Sequence, residues 1–185
     1  EIAVRAAPDG YTLIMVSGSY ATNSALFKLP YDPVKDILPI ALIGETAFLV
    51  SLHPGVPVKS VKELIALAKS KPGSLNYGST GIGGITHLAT ELFDMMAGTR
   101  MTHVPYTGTG PAVNGLLGGH IQLIFGSAPS TIPLVRANRL RAIAVTTTKR
   151  SAALPELPTV AEGGVPGYEV VLWYGVLGPK GLPKN

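Results

Sequence analysis

The strongest constraint on the fold is an alternation of helix and strand patterns between residues 60 and 147. Segments whose apolar residues repeat with the 3.6-residue period of an α-helix alternate there with short apolar segments typical of buried strands, in the order α-β-α-β-α-β-α-β. This order predicts parallel-type sheets flanked by helices. The chain is therefore expected to be an α/β protein.

Three of the predicted strands end in loops rich in glycine and hydroxyl side chains. These loops cover residues 79–84, 106–110 and 126–130. Ligands of open α/β sheets bind beyond the carboxyl ends of the strands. Three such loops at one edge of a sheet therefore predict a cleft for a small molecule.

The 79–84 loop precedes a predicted amphipathic helix. Its glycines let the backbone approach a ligand closely, and the first N–H groups of the helix lack internal partners and carry the positive end of the helix dipole. A phosphate or carboxylate would be stabilised there. The same residues also suit an ordinary strand-to-helix connection in which a hydroxyl only caps the helix. The loop by itself favours neither interpretation.

Known phosphate and catalytic motifs do not fit this loop. The dinucleotide-binding pattern requires glycine where Thr86 stands, and the P-loop requires lysine where Gly84 stands. The serine-hydrolase elbow requires glycine where Tyr77 stands. The four histidines show no metal-binding spacing and no carboxylate pair is evident, so we expect no enzyme, no cofactor and no metal site.

Composition excludes several other classes of protein. With 185 residues, 46% apolar and 14% charged, the chain can bury a substantial core. Its net charge of +4 is scattered and not interleaved with aromatic residues, so nucleic-acid binding is not expected. No apolar run is long enough to cross a membrane. The absence of cysteine excludes disulfides, and the chain is expected to be a monomer.

The helix that follows the 79–84 loop is predicted to bury one apolar stripe. Its members recur at i, i+3, i+4, i+7 and i+11, and they are Ile85, Leu88, Ala89, Leu92 and Met96. An earlier helix is predicted to begin with a capping box formed by Ser60 and Glu63.

Segments in fixed order across nearly the whole chain resemble the Bug family of periplasmic solute-binding proteins, the extracytoplasmic components of tripartite tricarboxylate transporters. Singly these segments are weak signals, but together and in order they are specific. They are 8–13 (PDGYTL), 29–33 (LPYDP), 77–84 (YGSTGIGG), 103–108 (HVPYTG), 117–121 (LGGHI), 154–164 (LPELPTVAEGG) and 173–175 (WYG).

This resemblance implies a two-lobed, type II-like periplasmic binding protein that closes on its ligand like a flytrap. Residues 1–43 and 148–185 would form one lobe and residues 44–147 the other, with strands at 40–52 and 140–148 crossing between them. Compared with the family, the chain is expected to be truncated at both ends. It would lack the N-terminal ligand loop and the closing C-terminal helices.

The resemblance also implies a function and a set of binding residues. A small carboxylate (a di- or tricarboxylate, an acidic amino acid or an aromatic acid) would be captured in the periplasm and delivered to membrane subunits of a tripartite tricarboxylate transporter. The signal peptide for export would lie outside this chain. The residues expected to bind the ligand are Ser79, Thr80, Gly81, Gly83, Gly84, Thr86, Tyr106, Ser127, Ser17 and Ser19.

Two further side chains and two alternative functions complete these expectations. His87, in the first helical turn, is expected to be a neutral, hydrogen-bonded packing residue, because the helix dipole disfavours a cation there. Trp173 is expected to belong to the core of a lobe. The alternatives are an α/β enzyme acting on a phosphorylated or nucleotide substrate at the 79–84 loop, and a ligand-sensing domain.

Overall fold

The computed structural model describes residues 1–183, in which helices and strands alternate as the sequence predicts. A short 3₁₀ helix, Ala3–Arg5, comes first. The strands are β1 Ile14–Ser17, β2 Ile37–Leu52, β3 Asn76–Ser79, β4 Thr102–Pro105, β5 Leu123–Ser127, β6 Arg141–Val145 and β7 Val171–Pro179. The α-helices are α1 Ser19–Leu26, α2 Val61–Ser70, α3 Ile85–Ala97, α4 Thr109–Leu117 and α5 Ala128–Arg136.

The chain divides into two compact units. Unit 1 contains Glu1–Glu45 and the residues from Leu172 onward, and unit 2 contains Thr46–Val171. The predicted boundaries were 43/44 and 147/148. The compact units divide at 45/46 and 171/172, and the predicted lobes stay a prediction.

Residues 148–171 belong to unit 2, and the end of this segment is hydrogen-bonded to the rest of the unit. The Thr146 hydroxyl accepts a hydrogen bond from Phe48 N at 2.9 Å and donates one to Val170 O at 2.7 Å. The Tyr168 hydroxyl donates to Ala89 O at 2.8 Å. These contacts join residues far apart in sequence. The end of the helix and strand alternation at residue 147 therefore did not reveal them.

β2 is a single 16-residue strand shared by both units. The sequence left open whether this stretch forms one strand or two in line. Residues 38–43 are exposed, whereas residues 47–52 are buried. A second crossing at 140–148 stays a prediction; in the structure β6 ends at Val145, and the compact units divide between Val171 and Leu172.

The sheet of unit 2 is mixed, not wholly parallel. β3 pairs in parallel with both β4 and β5, as predicted. β2 lies between β5 and β6 and is antiparallel to both. The alternation of elements begins only after β2, so it could not predict the direction of this strand.

Helices cover both faces of this sheet. Ile124 and Phe125 are neighbours in β5, so their side chains point to opposite faces. Ile124 belongs to an apolar cluster with Val113 and Leu116 of α4. Phe125 lies 5.7 Å from Phe93 of α3, measured between ring centroids. The predicted α/β layering is therefore present in unit 2.

The helix α2 begins as predicted. Ser60 Oγ accepts a hydrogen bond from Glu63 N at 3.2 Å, and Glu63 Oε2 accepts one from Lys59 N at 2.7 Å. Val61 and Leu64 on its inner face are buried.

The buried face of α3 differs from the predicted stripe. Thr86, Ala89, Thr90, Phe93 and Asp94 are its buried residues. The predicted members other than Ala89 are partly buried or, in the case of Met96, exposed. On this buried face the ring of Phe93 packs against Phe125 and Tyr168.

Unit 1 has a smaller core than unit 2. Its strands lie in the order β1, β7, β2, and its cluster of buried residues consists of Val16, Ile37 and Leu177. Trp173 packs against this cluster, as expected of a core residue. Among the described residues, no helix is both long and apolar enough to cross a membrane.

Gly115 of α4 lets the helix lie directly against the Tyr106 ring. A Cβ atom at Gly115 would lie 2.3 Å from the Tyr106 hydroxyl and 2.7 Å from its Cζ. We predict that Gly115→Ala destabilises the protein by about 1–3 kcal/mol through overpacking. Urea unfolding of the full-length protein measures the change.

Gly110→Ala in the same helix is the matched control, because a Cβ atom there would meet no atom within 4 Å. Its free energy of unfolding should change by less than about 1 kcal/mol. Equal destabilisation by the two variants would contradict the contact with Tyr106.

Candidate functional site

The carboxyl ends of β3, β4 and β5 lie at one edge of the unit 2 sheet. These strands are parallel, and β3 pairs with both of the others. Ser79, Pro105 and Ser127 are their last residues. The 79–84 loop therefore leaves the sheet between the loops that follow β4 and β5, at the edge where the sequence predicted the ligand.

Ser79 supports this loop from inside the protein. The residue is only 1% exposed. Its hydroxyl accepts a hydrogen bond from Gly81 N at 3.1 Å and lies 2.6 Å from His103 Nε2 and 3.1 Å from Gly81 O. Its hydrogen-bonding capacity is thus used within the protein, and Ser79 holds the turn of the loop.

Thr86 connects the loop to the helix α3. Its hydroxyl accepts a hydrogen bond from Thr80 N at 2.9 Å and lies 3.1 Å from the Thr80 hydroxyl. Thr86 is buried, whereas Thr80 is partly exposed. Of the hydroxyls that the sequence places here, that of Thr80 is the most accessible.

Two glycines give the loop its shape. Gly81 has a φ of 132° and Gly83 a φ of 76°, both in the region that side chains disfavour. Between them the Ile82 side chain is 72% exposed. A Cβ atom at Gly84 would lie 3.0 Å from Thr80 Oγ1, so this position is also crowded.

The backbone N–H groups of the loop are largely used within the protein. Gly83 N donates to His87 Nδ1 at 3.2 Å, and Gly84 N donates to Gly81 O at 3.2 Å. The amides of Thr80 and Gly81 are bonded to Thr86 and Ser79, as described above. The loop is consequently a folded element with a defined outer surface, not an open row of donors.

Three aromatic rings stack behind the loop. His103 lies between Tyr77 and His87, with ring centroids 4.9 Å and 4.0 Å away. Tyr77 OH donates a hydrogen bond to Glu91 Oε1, and His87 Nε2 lies 3.9 Å from the same oxygen. The contacts of His87 are those expected of a hydrogen-bonded packing residue.

Burial controls the titration of two of these rings. It lowers the pKa of His103, and the neighbouring His87 lowers that pKa further. Burial together with the hydrogen bond to Glu91 raises the pKa of Tyr77 well above its usual value. The cationic form of His103 is therefore disfavoured beside the Ser79 hydroxyl.

His103 is a site residue that the sequence analysis missed. It is the register partner of Tyr77 in the neighbouring strand, which places both side chains on one face of the sheet. Side chains alternate between the two faces along β4, so this alternation and the pairing of β3 with β4 could together have indicated His103. The pairing itself was not available from the sequence.

The remaining predicted residues lie in different surroundings. Tyr106 packs over Gly78 and Gly115 against the α4 cluster, so its ring serves the core. Ser127 Oγ is hydrogen-bonded to Ser130 Oγ at 2.6 Å at the start of α5. Ser17 and Ser19 belong to unit 1.

A pocket of about 250 Å³ is present within unit 1. Ser17, Tyr20 and Asn23 are among its lining residues. Ser19 is the first residue of α1, and its carbonyl accepts a hydrogen bond from Thr22 Oγ1 at 3.1 Å. Within residues 1–183, no three His, Asp or Glu side chains are grouped as a metal ion would require.

We predict that Thr86→Val destabilises the protein by about 1–3 kcal/mol, because it leaves the Thr80 amide without its acceptor. Chemical unfolding of the full-length protein measures the change.

Thr90→Val is the matched control. The Thr90 hydroxyl is also buried in α3, but it only donates to Thr86 O, at 3.0 Å. A loss below about 1 kcal/mol is expected for the control, and equal losses would contradict the role of Thr86.

Unit 2 therefore combines a layered α/β fold with a folded glycine and hydroxyl loop at the carboxyl edge of its sheet. The family of tripartite tricarboxylate transporter receptors matches residues 1–185. A curated relative, BugT of Bordetella pertussis, is 34% identical over 188 residues, which include 100% of this chain and 58% of the relative. The chain belongs to the tripartite tricarboxylate transporter receptor family, as its resemblance to the Bug proteins predicted.

Solved structures agree with this assignment. The periplasmic binding protein BugD has a TM-score of 0.90 at 33% identity, over 98% of this chain and 61% of BugD. Rhodopseudomonas palustris Rpa4515 with adipate has a TM-score of 0.92 at 40% identity, over 98% of this chain and 62% of that one. MatC from the same organism with bound malate has a TM-score of 0.88 at 32% identity, with the same coverages.

Family membership confirms the receptor class over the enzyme class, since the family and these neighbours are binding receptors. The chain spans little more than half the length of BugT and about three fifths of each of these structures.

Proposed function

We propose that this chain is part of an extracytoplasmic receptor that binds a small carboxylate at the 79–84 loop. The observation that carries the proposal is the folded loop at the carboxyl edge of the unit 2 sheet, where α/β proteins bind ligands. Structures of two relatives contain adipate and malate. A carboxylate would meet polar groups there that need no rearrangement of the loop.

The predicted binding residues divide into two roles under this proposal. Thr80 contacts the ligand, because its hydroxyl is accessible and can accept from Thr86 while it donates to a carboxylate oxygen. Ser79 and Thr86 hold the loop, since both are buried and bonded within it. The backbone can adopt the loop conformation and approach the ligand closely at Gly81, Gly83 and Gly84.

The ligands of these two relatives support a narrower proposal for the ligand class. Adipate and malate are both dicarboxylates, and they differ in chain length and in the hydroxyl group of malate. A small dicarboxylate is therefore the first candidate. Tricarboxylates, acidic amino acids and aromatic acids come next.

The remaining parts of the proposed function are the location, the oligomeric state and the partner. The receptor would act in the periplasm as a monomer and deliver its ligand to the membrane subunits of a tripartite transporter. Units 1 and 2 would be the two lobes of the binding protein. Ser17, Ser19, Ser127 and Tyr106 stay predicted ligand contacts, with Tyr106 the weakest because its ring packs against Gly115.

We predict that the full-length protein binds adipate or malate and that Thr80→Val weakens binding about tenfold to a hundredfold. The substitution keeps the shape of the side chain and removes one hydrogen bond to a charged ligand, worth about 1.5–3 kcal/mol. Isothermal titration calorimetry measures the dissociation constants after a thermal-shift screen of carboxylates, amino acids and nucleotides.

Thr102→Ala is the control for this experiment. Thr102 begins β4, at the opposite end of the strand from the loop, and its exposed hydroxyl donates only to Gly73 O, at 2.8 Å. Its ligand affinity should be unchanged. Stabilisation by nucleotides alone would overturn the proposal and favour an enzyme acting on a phosphorylated substrate.

A further inference from the structure

Two histidines are hydrogen-bonded to the 79–84 loop. His103 Nε2 lies 2.6 Å from the hydroxyl of Ser79, the first residue of the loop. His87 Nδ1 accepts from the amide of Gly83, close to the end of the loop. The loop is therefore attached at both ends to imidazole rings of different elements, β4 and α3.

The two rings also contact each other. Their centroids are 4.0 Å apart and their planes differ by 25°. His87 accepts from an amide, so its Nδ1 must lack a proton, whereas the Ser79 hydroxyl can either donate to or accept from His103 Nε2. A positive charge on one ring opposes a positive charge on the other.

Three other titratable groups face this pair. Tyr77 stacks on His103 from β3 and donates its hydroxyl to Glu91. The Glu91 carboxylate lies 3.9 Å from His87 Nε2. Asp94, whose charge acts on Tyr77, is itself bonded to Thr99 and Met101.

Protonation would affect the two contacts differently. A proton on His103 Nε2 can be accommodated, because the Ser79 hydroxyl can turn to donate to Gly81 O, at 3.1 Å, and then accept from the ring. A proton on His87 Nδ1 cannot, because the Gly83 amide only donates and two N–H groups would then face each other.

We propose that His87 and His103 are positioning residues for the ligand loop, and that His87 makes ligand binding depend on pH. This inference rests on the proposed function of the loop. Neutral His87 holds Gly83 in its left-handed conformation, and with it the outer surface of the loop. Protonation of His87 releases Gly83 and removes the shape that the carboxylate requires.

The sign of the pH effect follows from this scheme. Because the binding-competent loop needs neutral His87, ligand affinity is complete above the pH at which His87 titrates. Affinity falls as the pH drops through that midpoint, by about tenfold for each further pH unit. A simple attraction between imidazolium and carboxylate would produce the opposite trend.

The test is calorimetric titration of the full-length protein with adipate and with malate between pH 8 and pH 5.5 at constant ionic strength. In His87→Asn the side-chain oxygen stands near the position of Nδ1 and accepts from Gly83 without titrating. This variant should keep the affinity at pH 8 and lose the pH dependence. His87→Leu should bind about tenfold more weakly at every pH, because it removes the acceptor.

His120→Asn is the matched control, because His120 is exposed and follows α4 at the other end of the sheet. It should retain the pH profile of the unmodified protein. Titration of the ligand itself affects the unmodified protein and His87→Asn equally. A difference between the pH profiles of these two proteins is therefore caused by His87. A profile that is flat, that rises at low pH, or that persists in His87→Asn would overturn this inference.

A second measurement does not depend on the folding of variants or on the ligand. Long-range ¹⁵N–¹H correlation spectra of the unmodified protein report which nitrogen of each imidazole carries the proton. We expect His87 to carry it on Nε2 at pH 8, and a proton on Nδ1 would overturn the inference. If no carboxylate binds at pH 8, the proposed function itself is overturned. This outcome can be distinguished from a failure of the pH inference alone.

Discussion

The hydrogen bond from the Thr80 amide to the Thr86 hydroxyl is the constraint on which the candidate site depends. It folds the loop after β3 back onto the first turn of α3, and the glycines between can then adopt conformations that other residues disfavour. Neighbouring amides are bonded to Ser79 and His87 in the same way. A loop whose backbone groups are already hydrogen-bonded within the protein is ordered before the ligand binds. Binding then costs less conformational entropy, which is the advantage of preorganisation.

Local patterns in the sequence predicted much of this architecture. The order of elements, the α/β class, the capping box at Ser60 and the position of the 79–84 loop all depend on neighbouring residues, and the structure has each of them. The resemblance to the Bug proteins identified the family correctly. The hydrogen-bonded packing role expected for His87 also agrees with its contacts.

Features that depend on long-range contacts could not be predicted in the same way. The antiparallel direction of β2 is decided by which strands it joins, and on the buried face of α3 Phe93 packs against Tyr168 from beyond residue 147. His103 reaches Ser79 only through the pairing of β3 with β4. The sequence also predicted Ser79 as a ligand contact from its hydroxyl, whereas burial gives that hydroxyl to the loop.

The continuity of β2 limits how this protein can vary. Successive side chains of a strand point to opposite faces, so an insertion or deletion of one residue reverses the faces of everything beyond it. In most strands a short adjoining loop can absorb such a change. Between residues 37 and 52 there is no loop, and the strand serves the packing of both units. Changes of length should therefore be tolerated in the surface loops but selected against in this strand.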